Sequence, residues 1–170
     1  DAQNGEGHHL DYWYSPIQSD RTNRANLDAA SIANGKLTLA GWHATDASQG
    51  RDHHFIIVLN SNGHELTRQE VTDTARPDVA RAFESIYDAD KAGWQTTFNL
   101  QPQMVEGSIR VIIRYSSSSD GNSDYVDYWF NPVTFNANYA EISTIKNDHG
   151  QLRILGYHAA DAAYGESNHF

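Results

Sequence analysis

At 170 residues the chain is long enough to bury the core of one substantial domain, and 39% apolar with 20% charged residues excludes a disordered tail or a fibrous repeat. Twelve Lys and Arg against 22 Asp and Glu give a net charge of −10, a field that repels phosphate backbones and anionic headgroups and so argues against nucleic acid as a partner. The longest apolar run, Phe55 to Leu59, is far short of the roughly 18 residues of a spanning helix, which argues against membrane insertion, and the lack of cysteine removes disulfides, thiolate metal sites and cysteine nucleophiles.

Taken along the chain, Asp11-Tyr12-Trp13-Tyr14-Ser15-Pro16-Ile17 reads as a closing strand, and the polar stretch 18–34 as a linker. Lys36 to Ala44 alternates loosely between glycines and predicts a strand. Phe55 to Leu59 is a short β-rich run that ends at Asn60-Ser61-Asn62-Gly63, a hairpin signal that makes Leu66 to Val71 its partner. Arg76 to Phe83 predicts a short helix crossing between sheets, with Pro77 in its first turn and Val79, Ala82 and Phe83 on one face. Trp94 to Leu100 and Ser108 to Tyr115 alternate as strands, Ser116 to Asp124 is a polar loop, and Tyr125 to Phe130 is an aromatic strand. Six or so strands and one short helix in about a hundred residues predict a mainly β fold, an immunoglobulin-like sandwich of two sheets.

The chain repeats itself. Gly35-Lys36-Leu37-Thr38-Leu39-Ala40-Gly41-Trp42-His43-Ala44-Thr45-Asp46 returns as Gly150-Gln151-Leu152-Arg153-Ile154-Leu155-Gly156-Tyr157-His158-Ala159-Ala160-Asp161, an offset of 115 that continues without a gap to His54-Phe55 and His169-Phe170. Asp11 to Ile17 returns as Asp127-Tyr128-Trp129-Phe130-Asn131-Pro132-Val133 at an offset of 116. We therefore expect residues 1–17 to be the tail of one repeat, 35–133 a complete unit, 134–148 a second linker and 149–170 the start of another repeat. The two partial segments are expected to pair with each other, within one molecule or between two.

Two histidines and a carboxylate hold their places between the copies. His43, Asp46 and His54 correspond to His158, Asp161 and His169, and imidazole with carboxylate is a donor set suited to a divalent metal. The structural alternative ranks ahead of it: histidines bonded to backbone, with Asp46 capping its own turn. No metal or other cofactor is therefore expected. Trp42 together with His43, Asp46 and His54 is the candidate ligand-binding set. Lys36 and Asn131, on the first and last strands, are the residue types of a Lys–Asn isopeptide cross-link, but Gln151 replaces the lysine in the second copy. Neither a phosphate loop, a Gly-x-Ser-x-Gly elbow nor a dinucleotide fingerprint is present, and nothing in the chain speaks for an enzyme.

Gly41-Trp42-His43-Ala44, His53-His54-Phe55-Ile56-Ile57, Ala75-Arg76-Pro77-Asp78-Val79 and Asp127-Tyr128-Trp129-Phe130 together resemble a module repeated in extracellular proteins of lactobacilli and related lactic acid bacteria. The Ala-Arg-Pro-Asp-Val segment is the most specific element. The resemblance implies an extracellular location on the bacterial cell surface and a non-catalytic repeat that adheres to glycans or a host surface glycoprotein. The alternatives are a module that targets a larger peptidoglycan hydrolase to the cell wall, and a stalk or spacer. Nine histidines, with ordinary pKa values near 6.5, would carry the charge from −10 towards −1 on acidification and so strengthen adhesion at low pH.

Overall fold

A computed structural model describes residues 22–165; the segments 1–17 and 18–21 and the pair His169-Phe170 lie outside the described residues. The described residues are mainly β, with several antiparallel sheets and one α-helix. The first strand, β1 (Asn23–Ala33), falls where a linker was expected. It turns through Asn34 and Gly35, both at positive φ (51° and 69°), into β2 (Lys36–Thr45). Two successive left-handed residues give the twist a two-residue hairpin needs, and an Asn-Gly pair adopts them readily.

The linker reading of 18–34 fails because β1 breaks its own period. Ala25, Leu27, Ala30 and Ile32 pack towards the core, so the inward step is two residues, then three, then two. The extra residue is Asp28, a β-bulge between the pairs Leu27↔Gly41 and Ala29↔Ala40. A bulge moves every following side chain to the other face, which hides the alternation from a period-two reading. Gly41 opposite it is required by close approach: a Cβ there would lie 2.2 Å from the Asn26 carbonyl oxygen and 2.9 Å from the Trp94 ring.

β2 pairs on its other side with β5 (Gly93–Asn99), which completes a three-stranded sheet in the order β1-β2-β5. The second sheet runs β4-β3-β6-β7, built from β3 (His53–Leu59), β4 (Glu65–Glu70), β6 (Ser108–Ser116) and β7 (Tyr125–Trp129), with β8 (Val133–Thr134) paired to the start of β6. Leu37, Leu39, Trp94 and Phe98 of the first sheet share one buried cluster with Ile56, Val58, Val111 and Ile113 of the second. The expected β3–β4 hairpin is present, its turn held by Asn60 Oδ1, which accepts from the backbone N–H groups of Asn62 (3.0 Å) and His64 (2.9 Å). The helix α1 (Pro77–Ala82) lies on the crossing from β4 to β5 and buries Val79 in a smaller cluster with Ala44, Ile86 and Ala92.

Residues 134–148 are no linker either. They contain β9 (Asn138–Asp148), which forms a hairpin with β10 (Gln151–Ala160). This hairpin repeats β1–β2 in detail. Its turn uses positive φ at His149 (51°) and Gly150 (81°), its bulge falls at Ser143, 115 positions after Asp28, and Gly156 sits opposite that bulge as Gly41 does in the first copy. The recurring hairpin accordingly begins at Asn23 and at Asn138, upstream of Gly35 and Gly150. Lys36 Nζ donates to Asn99 Oδ1 at 2.5 Å on the exposed side of the β2–β5 pair, so its hydrogen bond goes to Asn99 and not to Asn131.

Gly41→Ala should destabilise the fold by about 1–3 kcal/mol, the usual range for an overpacked interior site, because backbone on the facing strand must move. Chemical denaturation of the two proteins at one pH measures it; equal midpoints would mean that the bulge yields without cost.

Candidate functional site

An inward side chain near the end of β2 and the second residue of β3 bring His43 and His54 together at one end of the two sheets. Both are buried, with 1% and 3% of their surface exposed, and their ring centroids lie 5.9 Å apart. Tyr115 of β6 packs against both, stacked on His54 at 3.8 Å and 13° and on His43 at 5.1 Å and 28°. Burial, together with the carboxylates of Asp73 and Asp88, pushes the Tyr115 hydroxyl far above the ordinary phenol range, so it stays neutral.

Hydrogen bonds set the protonation of each imidazole. Asn23 donates through Nδ2 to the Asp127 carbonyl of β7 at 3.0 Å, which leaves its Oδ1 facing His43 Nε2 at 2.7 Å. An oxygen acceptor there requires Nε2 to carry the proton, and Nδ1, buried and without a protein partner, is the lone-pair nitrogen. His54 places Nδ1 at 2.5 Å from Asp73 Oδ1 and likewise leaves a buried Nε2 without a protein partner. Burial, reinforced by neighbouring His54, lowers the His43 pKa well below the usual imidazole value. His43 therefore resists the titration on which the expected −10 to −1 charge swing depends.

Asp46 is not with the histidines. Its Oδ1 accepts from the Tyr87 backbone N–H at 2.9 Å and so ties the turn after β2 to the loop after α1, while Thr45 caps the short 3-10 turn Asp46–Ser48 by accepting from Ala47 N–H. The expected Asx-type cap on its own turn is replaced by this long-range bond. Trp42 is half-buried against Phe83, with centroids 5.5 Å apart, and serves the packing of the helix. No three His, Asp or Glu side chains among the described residues are grouped to hold a metal ion, so the alternative built on His43, Asp46 and His54 lacks its geometry.

Of the four candidate residues only His43 lines the cavity at this end of the fold. The cavity measures about 230 Å³ and is also walled by Asp52, Asp73, Tyr87, Asp88 and Tyr115. Arg51 is at its edge with its charge engaged, Nη2 to Asp124 Oδ1 at 2.6 Å and Nε to the Asp124 carbonyl at 2.8 Å. The Ser48 hydroxyl is committed to the Thr45 carbonyl at 2.7 Å. Hydrogen-bond acceptors thus dominate, through the carboxylates of Asp52, Asp73 and Asp88. Tyr87, 46% exposed, stands at the cavity with an aromatic face available to solvent, and Asp88 beside it is held at φ 49°. Sequence reading missed Tyr87 and Asp88, which sit in a loop without periodicity; Asp73 was missed because its partner His54 is 19 positions away.

The Asn–His bond also recurs. Asn138 Oδ1 lies 2.6 Å from His158 Nε2, 115 positions after the first pair, although around it the hairpin carries Tyr139 for Arg24 and Tyr157 for Trp42. Neither a known family model nor a curated protein matches the chain.

Stability should fall on acidification from about pH 6.5. Above that pH His43 is neutral in both states; below it the unfolded chain takes up a proton that the folded imidazole refuses, so the unfolded state binds more protons and gains. Unfolding free energies at pH 7.5 and 5.5 measure the slope, and His43→Phe should reduce it; an unchanged slope would assign the effect to other groups. Asn23→Ala at pH 7.5 should cost about 1–3 kcal/mol, since it strands a buried imidazole N–H and the Asp127 carbonyl together.

Proposed function

We propose that the chain is a stretch of tandem, immunoglobulin-like β-sandwich repeats from a bacterial surface protein, and that its complete unit is a non-catalytic module adhering to host or cell-surface glycans. The sandwich reading is supported by the main apolar cluster, which both sheets share. The cavity beside His43 is the observation that carries the adhesive role. About 230 Å³ accommodates one sugar ring, its carboxylates are acceptors for ring hydroxyls, and Tyr87 offers an apolar face for the C–H side of a pyranose. The net charge of −10 favours neutral or cationic glycans over teichoic acids and other polyanions.

A stalk is the second reading, favoured by the recurrence of the hairpin, its bulge and its Asn–His bond, all of which concern architecture. A screen of mucin and defined glycans at pH 7 and pH 5, with and without chelator, separates the two. Adhesion predicts saturable binding that survives the chelator and weakens about tenfold in Tyr87→Ala, equivalent to about 1.4 kcal/mol. Absence of binding under every condition would leave the stalk.

A further inference from the structure

The hairpin β9–β10 displays an apolar face that its counterpart β1–β2 buries. Leu37 and Leu39 are fully buried, whereas Leu152 and Ile154, 115 positions later, are 66% and 55% exposed. On the partner strand Leu27 and Ala30 pack on the core, and the corresponding Ile142 and Ile145 are exposed. All four of these positions stay aliphatic in the second copy, and one becomes larger, Ile145 standing where the first copy has Ala30. Selection for a solvated ribbon would have placed polar groups there. Among the described residues the hairpin is a two-stranded sheet, an arrangement of marginal stability in water by itself.

We infer that this face is a docking surface for one occupant: a sheet of the β3–β6 kind from a further copy of the same repeat unit, with a strand equivalent to β5 along the free edge of β10. The template is in the same molecule. Where β1–β2 is covered, the covering side chains are Ile56 and Val58 of β3 with Val111 and Ile113 of β6, and β5 runs along the edge of β2 from Lys36 to Trp42. The receiving side is reproduced in its backbone and, apart from Asn147 in the place of Ile32, in its apolar side chains, since the bulge at Ser143 and the close approach at Gly156 restore the same change of face halfway along the ribbon. A face that matches a known interface in register, bulge and side-chain type is preformed for the same partner. This inference does not depend on the glycan reading.

The test lengthens the full chain so that Phe170 is followed by a second copy of residues 56–134, the sequence that follows Phe55 in the first unit. Amide hydrogen exchange is then measured across both hairpins. In the lengthened chain, exchange over Leu152–Gly156 should slow to the level of Leu37–Gly41, and Ile154→Ser should return it to the rate seen in the 170-residue chain. The same Ile154→Ser substitution in the 170-residue chain should leave the melting temperature of the complete unit unchanged. Fast exchange over Leu152–Gly156 in the lengthened chain, whether or not the appended residues fold, would overturn the inference. So would a concentration-dependent dimer of the 170-residue chain abolished by Ile154→Ser, which would show that the face meets itself.

Discussion

The structure turns on one side-chain amide. Asn23 receives the His43 N–H with its oxygen and gives its own N–H to the Asp127 carbonyl, so a single residue joins the first strand of the unit to its neighbour in one sheet and to β7 in the other. Because both ends of the amide are engaged, the imidazole has only one tautomer compatible with the contact. That tautomer puts the lone pair on the buried Nδ1, and burial keeps the ring neutral beside the cavity. Core packing, protonation state and the chemistry of the site follow from one orientation.

The second imidazole is organised in the same manner from the opposite sheet. Asp73 holds His54 Nδ1, and Tyr115 fills the space between the rings and the core. The result is a polar cluster inside an otherwise aliphatic interior, in which each histidine is oriented by one side-chain acceptor and flanked by an aromatic ring. Such clusters define the relative placement of two sheets more sharply than aliphatic contacts, which tolerate sliding. The cluster closes one end of the unit; the opposite end is closed by apolar residues such as Leu100, Met104 and Ile109.

Much of the fold was legible because its strands are short and bounded by glycine or asparagine. The helix was legible from Pro77 and the spacing of Val79, and the β3–β4 hairpin from Asn60 to Gly63. β1 and β9 were not, for two physical reasons. Alanine and serine supply weak hydrophobic contrast, and a bulge in each strand shifts the pattern by one residue. The repeat itself held the missing information, since Asn23, Ala25 and Leu27 align with Asn138, Ala140 and Ile142 at the offset already visible further along. Repetition singled out His43 and His54, but repetition alone does not separate a ligand contact from an internal tie. Asp73, Tyr87 and Asp88 come to the site only through the crossing between the sheets, which no local pattern encodes.

The position of Asn23 also decides how the unit bears load. β1 enters at the histidine end of the sheets, and β8 leaves at the other, where Val133 and Thr134 pair with Ile109 and Ser108. A pull on the two ends therefore acts along the strands, nearly perpendicular to the hydrogen bonds between them. The β1–β2 ladder is strained as a whole in shear, and its bonds share the force where a peeling geometry would break them one after another. The Asn23 amide, tied across to β7, stands first in the line of tension.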